Sequence, residues 1–310
     1  MADFVILGAP VEQGTGRAGC SLGPAALRSA GIVEALEAAG HAVADRGDIR
    51  RGPVGAAFHP NRAVKALGEV AAWTAAIHRA VYEASADAIP IVLGGDHSLT
   101  GGTLPALNRR SAEQGRKLFV LWLDAHADFH TLDSTRSGNL HGVPLAYVAG
   151  LPGFGGYFPP LDQPLPADRI ALMGLRSVDG PERWALLAAG ITVHEMPEMR
   201  ARGTLPLLAA FLDRVAAEDG VLHVSLDADF IEPACAPGVG TAVSGGPTGK
   251  EVAAMMAMIA RSGRLRSLDI AELNPLLDPG GATARLLVDL TASLIGPASL
   301  QSNARSRKHA

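Results

Sequence analysis

The sequence predicts a three-layer α/β fold, a parallel sheet with helices on both faces, and three observations carry that prediction. Short apolar, β-branched runs alternate from end to end with longer segments whose apolar residues recur every three or four positions. Parallel strands need crossover connections, which are right-handed and usually helical. No repeat or low-complexity linker divides the chain, so its 310 residues, 48% of them apolar, are expected to bury one large core. One domain over residues 1–300 follows, with a polar tail over residues 301–310.

The predicted strands come in order: "FVILGA" from Phe4, "HAVADRG" from His41, "IPIVLGG" from Ile89 and "KLFVLWLD" from Lys117. "RIALMGL" from Arg169, "ITVHEM" from Ile191, "VLHVSLD" from Val221 and "LRSLDIAE" from Leu265 bring the count to roughly eight. Helical periodicity fills Pro24 to Ala39 and Asn61 to Ala86. Pro24 suits the first helical position and Gly40 the residue after the end. "LPGFGGYFPPLDQPLP", from Leu151, reads as an ordered surface loop.

Composition excludes several classes. A net charge of −4 and scattered Lys and Arg offer no field for nucleic acid or an anionic membrane. No apolar run reaches the roughly 18 residues that span a bilayer, and "MADFVILGAP" lacks signal-peptide features, so a cytoplasmic location is expected. Cys20 and Cys235 are too few for a disulfide framework and show no metal spacing. Cys235 and the run Met255, Met256 and Met258 read as packing residues.

The chemistry-bearing residues cluster after strands. "GGDHSLT" follows Ile89 to Leu93, "DAHADFH" follows Leu118 to Leu123, "DADFIEP" follows Val221 to Leu226, and Glu272 follows Leu268 to Ile270. In open α/β sheets, ligands bind at that carboxyl edge. Asp124, His126 and Asp128 alternate, so their side chains can leave one side of an extended segment; Asp227 and Asp229 repeat the spacing. A lone D-x-D is a solvated turn. His97, Asp124, His126, Asp128, Asp227 and Asp229 together gather carboxylates and imidazoles whose charge calls for cations among them. Two divalent cations balance four carboxylates, and an oxygen-rich set without thiolates favours Mn²⁺ over structural zinc. Two such ions about 3.5 Å apart can bridge a water and bring its pKa toward about 7, which makes the expected chemistry hydrolysis.

"GTGRAG" at Gly14 to Gly19 matches the dinucleotide pattern, but the helix should open inside that motif, whereas "CSLGP" intervenes here. The loop is read instead as a rim or lid beside the site.

With these residues in view, the chain resembles the ureohydrolase family, and within it the arginases: "GGDHS", "DAHAD" and "SLDADFIEP" match its three metal-binding signatures in order. The resemblance runs along almost the whole chain. It implies an α/β/α fold with an eight-stranded parallel sheet, two Mn²⁺ ions per subunit held by the six residues named, hydrolysis of a guanidinium to urea, and a homotrimer or homohexamer. Carried over by motif, His141 in "SGNLHGVP" is the proton-transfer residue and Glu272 in "DIAELNP" holds the guanidinium. Ser137 and Asn139 match the segment that contacts the α-carboxylate of L-arginine, and Asp179 and Glu182 in "RSVDGPE" the acidic pair near its α-amino group. Thr248 in "GGPT" matches a threonine that could support the substrate carboxylate or Glu272. "SGNLHGVP" and "ELNPLLD" favour arginine over agmatine. His130 departs from the family's asparagine, and imidazole can donate in its place or shift specificity toward another guanidino acid. Ala228 and Pro247 are milder departures. The alternatives are an agmatinase or other guanidino-acid hydrolase, a non-catalytic metal- and arginine-binding protein, and a single-metal zinc deacetylase of related architecture.

Overall fold

The structure is a computed structural model and describes residues 3–297, so the tail expected at 301–310 lies outside the described residues. Each apolar run named above forms a strand: β1 (Phe4–Ala9), β2 (Val43–Asp48), β3 (Ile89–Gly94), β4 (Leu118–Leu123), β5 (Ile170–Leu175), β6 (Thr192–Glu195), β7 (Val221–Asp227) and β8 (Leu265–Ala271). They build one eight-stranded sheet in the order β2-β1-β3-β8-β7-β4-β5-β6. Every pairing is parallel.

Helices cover both faces. α1 (Gly23–Ser29), α2 (Ile32–Ala38), α3 (Leu67–Ala84), α4 (Thr100–Glu113) and α5 (Pro144–Val148) precede α6 (Gly180–Ala189), α7 (Met196–Arg202), α8 (Thr204–Ala217), α9 (Gly249–Ser262) and α10 (Ala282–Ile295). Strand alternation sends Phe4, Ile6, Phe119, Leu121 and Leu123 into one core, with α1, α2 and α7 to α10. Val5, Leu7, Val120 and Trp122 enter the other, with α3 to α6. Both faces are therefore apolar, which is why the central strands read as continuous hydrophobic runs. Met255 and Met256 are buried in the first core, and Met258 and Cys235 pack against it.

Two helix expectations change. Pro24 to Ala39 is two helices, because Gly31 takes a left-handed conformation (φ 89°) between α1 and α2. The break lets Leu27, Ile32 and Leu36 all reach one core. The segment from Asn61 becomes helical only at Leu67: the Asn61 side chain donates to Leu132 O and Thr135 O, and Ala66 is left-handed at φ 49°. The Gly/Pro-rich segment from Leu151 is a loop as expected, but it buries Phe154, Phe158 and Leu165 and packs the two phenylalanine rings, tilted, against Tyr147.

Strand order positions the site. His97, Asp124 and Glu272 follow β3, β4 and β8, and Asp227 ends β7; these strands are consecutive in the order β3-β8-β7-β4. Register levels their ends: Leu123 pairs with Leu226, and Asp227 with Ala271. Four chemically loaded termini thus meet at one height on the carboxyl edge of the sheet.

Candidate metal centre

His97, Asp124, Asp128, Asp227 and Asp229 are all buried there, and His126 is partly buried. His97 Nδ1 lies 3.1 Å from one oxygen of each of Asp124, Asp128 and Asp227. None of the three is aligned as a hydrogen bond, so this buried nitrogen has no partner among the described residues. Its other nitrogen explains the orientation. Ser225 Oγ donates its only proton to Asp269 Oδ1 at 2.6 Å, so it can only accept from His97 Nε2–H at 2.9 Å. In the neutral ring, Nδ1 is then a bare lone pair facing three carboxylate oxygens. A cation between them satisfies all four. Separations near 3 Å are those between adjacent corners of an octahedron with bonds of about 2.1 Å.

A second group adjoins the first. His126 Nδ1 is 3.0 Å from Asp229 Oδ2 and 3.6 Å from Asp124 Oδ1, while Asp124 Oδ2 faces His97. Asp124 therefore presents one oxygen to each group and suits a bridging position between two cations. The six residues fit two divalent ions by donor type, burial and spacing.

Local hydrogen bonds aim these side chains. The Asp124 carboxylate accepts from His126 N at 2.7 Å and Trp122 Nε1 at 2.9 Å, and Asp227 accepts from Asp229 N at 2.7 Å. Asp128 has φ 49° and Glu272 φ 64°, left-handed values that cost energy for non-glycine residues and are held by the surrounding contacts. Glu272 N donates to Gly95 O at 2.8 Å, and its carboxylate accepts from His97 N at 2.9 Å.

Charge coupling is strong. Burial, then the neighbouring Asp124, push the Asp128 carboxyl up to about 7; burial, Asp229 and Asp124 raise Asp227 well above the carboxylate range. Burial opposes charge on His126, yet Asp229 and Asp124 push it up to about 12. Burial also opposes charge on Asp124, but the adjoining His126 and then His97 hold it below its ordinary value. So many carboxylates crowded together remain charged together only around positive charge.

Beside this centre lies a cavity of about 480 Å³ lined by His126, Asp128, His130, His141, Asp179, Glu182, Asp227, Asp229, Thr241 and Glu272 among others. His141 Nδ1 is 2.8 Å from Glu272 Oε1. Burial works against the charged imidazole, but Glu272 pushes it up to about 9, and His141 in turn holds Glu272 below its ordinary value despite burial. His130, Asp179 and Glu182 stand together across the cavity, with His130 Nε2 3.4 Å from Asp179 Oδ2 and 3.6 Å from Glu182 Oε2.

Nearly the whole curated length of its relatives is spanned by this chain. Residues 2–296 match the model of the arginase family. The chain belongs to the arginase family. It is 52% identical over 291 residues to an arginase of Brucella melitensis, covering 94% of this chain and 95% of that one. Among solved structures, the native arginase of Bacillus caldovelox superposes with a TM-score of 0.86 at 33% identity, covering 96% of this chain and 99% of that one. The arginase of Entamoeba histolytica in complex with L-ornithine gives 0.82 at 25% identity, again over 96% and 99%.

Within this arginase-family chain, not every residue expected from the motifs reaches the cavity. Thr248 does not: its hydroxyl caps α9 in a reciprocal box with Glu251, facing a different surface. A different threonine, Thr241, lines the cavity and donates to Asp229 Oδ2 at 2.9 Å. A helix-start pattern, T-x-x-E, could have separated the two. Ser137 and Asn139 are outside the cavity lining; Ser137 Oγ accepts from Asn139 N at 3.2 Å, and Asn139 accepts from Lys65 Nζ at 3.0 Å. The "GTGRAG" loop does border the site: Gly14 N and Thr15 N donate to the fully buried Asp96, and Gly14 O accepts from His141 N.

Several supporting residues went unread. Asp96, inside "GGDHS", ties that loop down. Cys20 donates its thiol to Glu272 Oε2 at 3.7 Å, and burial followed by Glu272 pushes the thiol's pKa up, so it is an inert donor. Beneath His97 the buried chain continues from Ser225 and Asp269 to His223, 3.2 Å from Asp269, and on to Ser267 at 2.8 Å. His223, Ser225 and Asp227 alternate along one buried strand, a polar period of two that the sequence does display.

Proposed function

We propose that the chain is an arginase, converting L-arginine and water to L-ornithine and urea. One observation carries the reading: the paired cation sites share a cavity with the His141–Glu272 pair. Two divalent cations, Mn²⁺ by donor type, supply Lewis acidity that acidifies water at the site when bound. Glu272, buried, held as a carboxylate by His141 and lining the cavity, pairs with the N–H groups of the guanidinium. His141 carries a proton near neutrality and releases it to the leaving amine, the step that a poor leaving group requires. Asp179 and Glu182 receive the α-ammonium group and His130 donates to the α-carboxylate, while Ser137 and Asn139, outside the cavity lining, reach that end only through a rearrangement of their loop on binding. Asp128 both ligates and orients the nucleophilic water. A single catalytic domain over residues 1–300, a cytoplasmic location and a homotrimer or homohexamer complete the proposal; no helix among the described residues is long and apolar enough to cross a membrane.

The test is urea release from a panel of guanidino compounds with and without added Mn²⁺. L-Arginine should be preferred by a wide margin and turnover should depend on the metal. A preference for agmatine or for another guanidino acid would replace the substrate assignment, and arginine binding without urea would leave a binding protein.

A further inference from the structure

At the mouth of the cavity, His130, Asp179 and Glu182 each have one polar atom tied back and one left over. His130 Nδ1 is 3.0 Å from Ser134 Oγ, Asp179 Oδ1 accepts from Glu182 N at 3.0 Å, and Glu182 Oε1 accepts from Phe129 N at 3.2 Å. The remaining atoms, His130 Nε2, Asp179 Oδ2 and Glu182 Oε2, all lie within 4.8 Å of one another. Glu182 is only 8% exposed, so Oε2 is a carboxylate oxygen on a nearly buried side chain without a hydrogen bond, aimed at the cavity.

The distances decide between a hydrogen-bonded trio and a ligand set. From Nε2 to the two oxygens they are 3.4 and 3.6 Å, longer than the 2.7–3.2 Å of good N–H···O bonds. Four-coordinate zinc with bonds of about 2.0–2.1 Å places neighbouring ligand atoms about 3.3–3.4 Å apart. Fixed second atoms are also the way proteins orient metal ligands. Among the described residues, no basic side chain other than His130 itself is paired with these two carboxylates. Arg176, which lines the same cavity, commits its guanidinium to Gly174 O, Asp229 O and Val243 O, and Arg183 pairs with Glu195.

We propose that His130, Asp179 and Glu182 form a third divalent-cation site, separate from the paired centre and of the zinc-binding class, with an open position toward the cavity. Three ligands with a free corner match the ligand count of an open zinc site, and the wider spacing of 3.4 and 3.6 Å, rather than the donor types, separates this trio from the paired centre at 3.1 Å. His130 creates it, since the two carboxylates alone offer only a weak anionic pair. A cation seated there occupies the space assigned above to the α-ammonium group, so it and substrate exclude each other; that consequence rests on the proposed function, whereas the site itself does not.

The experiment loads the full chain with Mn²⁺, titrates Zn²⁺ calorimetrically, and measures both metals after desalting. Zinc should enter as a third equivalent while manganese stays at two, and His130→Asn and Glu182→Gln should each weaken that third equivalent by at least about 100-fold. Zinc that enters only by displacing manganese, or a third equivalent unchanged in both variants, overturns the site. L-Ornithine should weaken zinc binding in the wild-type protein. A third equivalent that ornithine leaves unaffected keeps the cation site and removes the α-ammonium assignment. Failure of the arginine reading appears separately, as absent urea release.

Discussion

The floor of the cavity and its mouth are built from similar residue types and held in different ways. On the floor, Asp124, Asp128, Asp227 and Asp229 sit at or just beyond strand ends whose register is set by the sheet, and all are buried. At the mouth, Asp179 caps α6, Glu182 lies in that helix's first turn, and His130 rests in a loop beyond the metal motif. Floor residues lean on backbone N–H groups and on one another; Asp179 is exposed to solvent. The contrast teaches where each property resides. Rigid, desolvated strand ends set the chemistry, and solvated loops and a helix start set which molecule is presented to it.

Substitutions should separate the two regions, and the largest effect belongs to the floor. Asp128→Ala removes a carboxylate from His97 and leaves the remaining charges without balance, so metal content and urea release should fall together, by about 100-fold or more. Unchanged occupancy by elemental analysis would break the assignment of Asp128 to the centre. Next comes His141→Asn, which removes the proton donor 2.8 Å from Glu272: kcat should drop by about 10²- to 10⁴-fold with both metal equivalents retained. A loss of metal instead of turnover would make His141 part of the floor's scaffold.

At the mouth the effects shrink and change kind. His130→Asn should alter KM for L-arginine by up to about tenfold with metal content at the paired centre unaffected, because one hydrogen-bond donor is exchanged for another. If KM is unmoved at every pH, His130 does not touch substrate. The smallest functional effect is expected outside the cavity: Thr248→Ala deletes a helix cap and should cost about 1 kcal/mol of stability in denaturant while kcat and KM stay constant. A kinetic change there would return Thr248 to the substrate site. Thr241→Val should do the reverse, weakening metal retention through Asp229.

Much of the floor was legible because its information is local. The i, i+2 spacing of Asp124, His126 and Asp128 specifies a shared side of an extended segment, and a position after an apolar run specifies the carboxyl edge. Less of what supports the site was legible. Thr241 and Thr248 both follow glycine-rich turns; T-x-x-E marks Thr248 as a helix start, but only packing shows that Thr241 meets Asp229. Cys20 and Glu272 are separated by 252 positions, and no pattern within either neighbourhood announces their contact. Helix extents failed for a related reason: Gly31 and Asn61 are compatible with helical periodicity until tertiary contacts reward a break.

The sequence by itself determined which residue types stand at the ends of which strands, that those strands are parallel and covered on both faces, and that the gathered charge calls for cations. Only the tertiary structure decided that β3, β8, β7 and β4 are neighbours, so that four distant motifs share one edge. It also decided that His97 presents Nδ1 rather than Nε2, through Ser225 and Asp269 on two different strands. Alternation and spacing are properties of a few consecutive residues and survive in any fold; strand order and tautomer depend on partners that only the closed sheet brings within hydrogen-bonding distance.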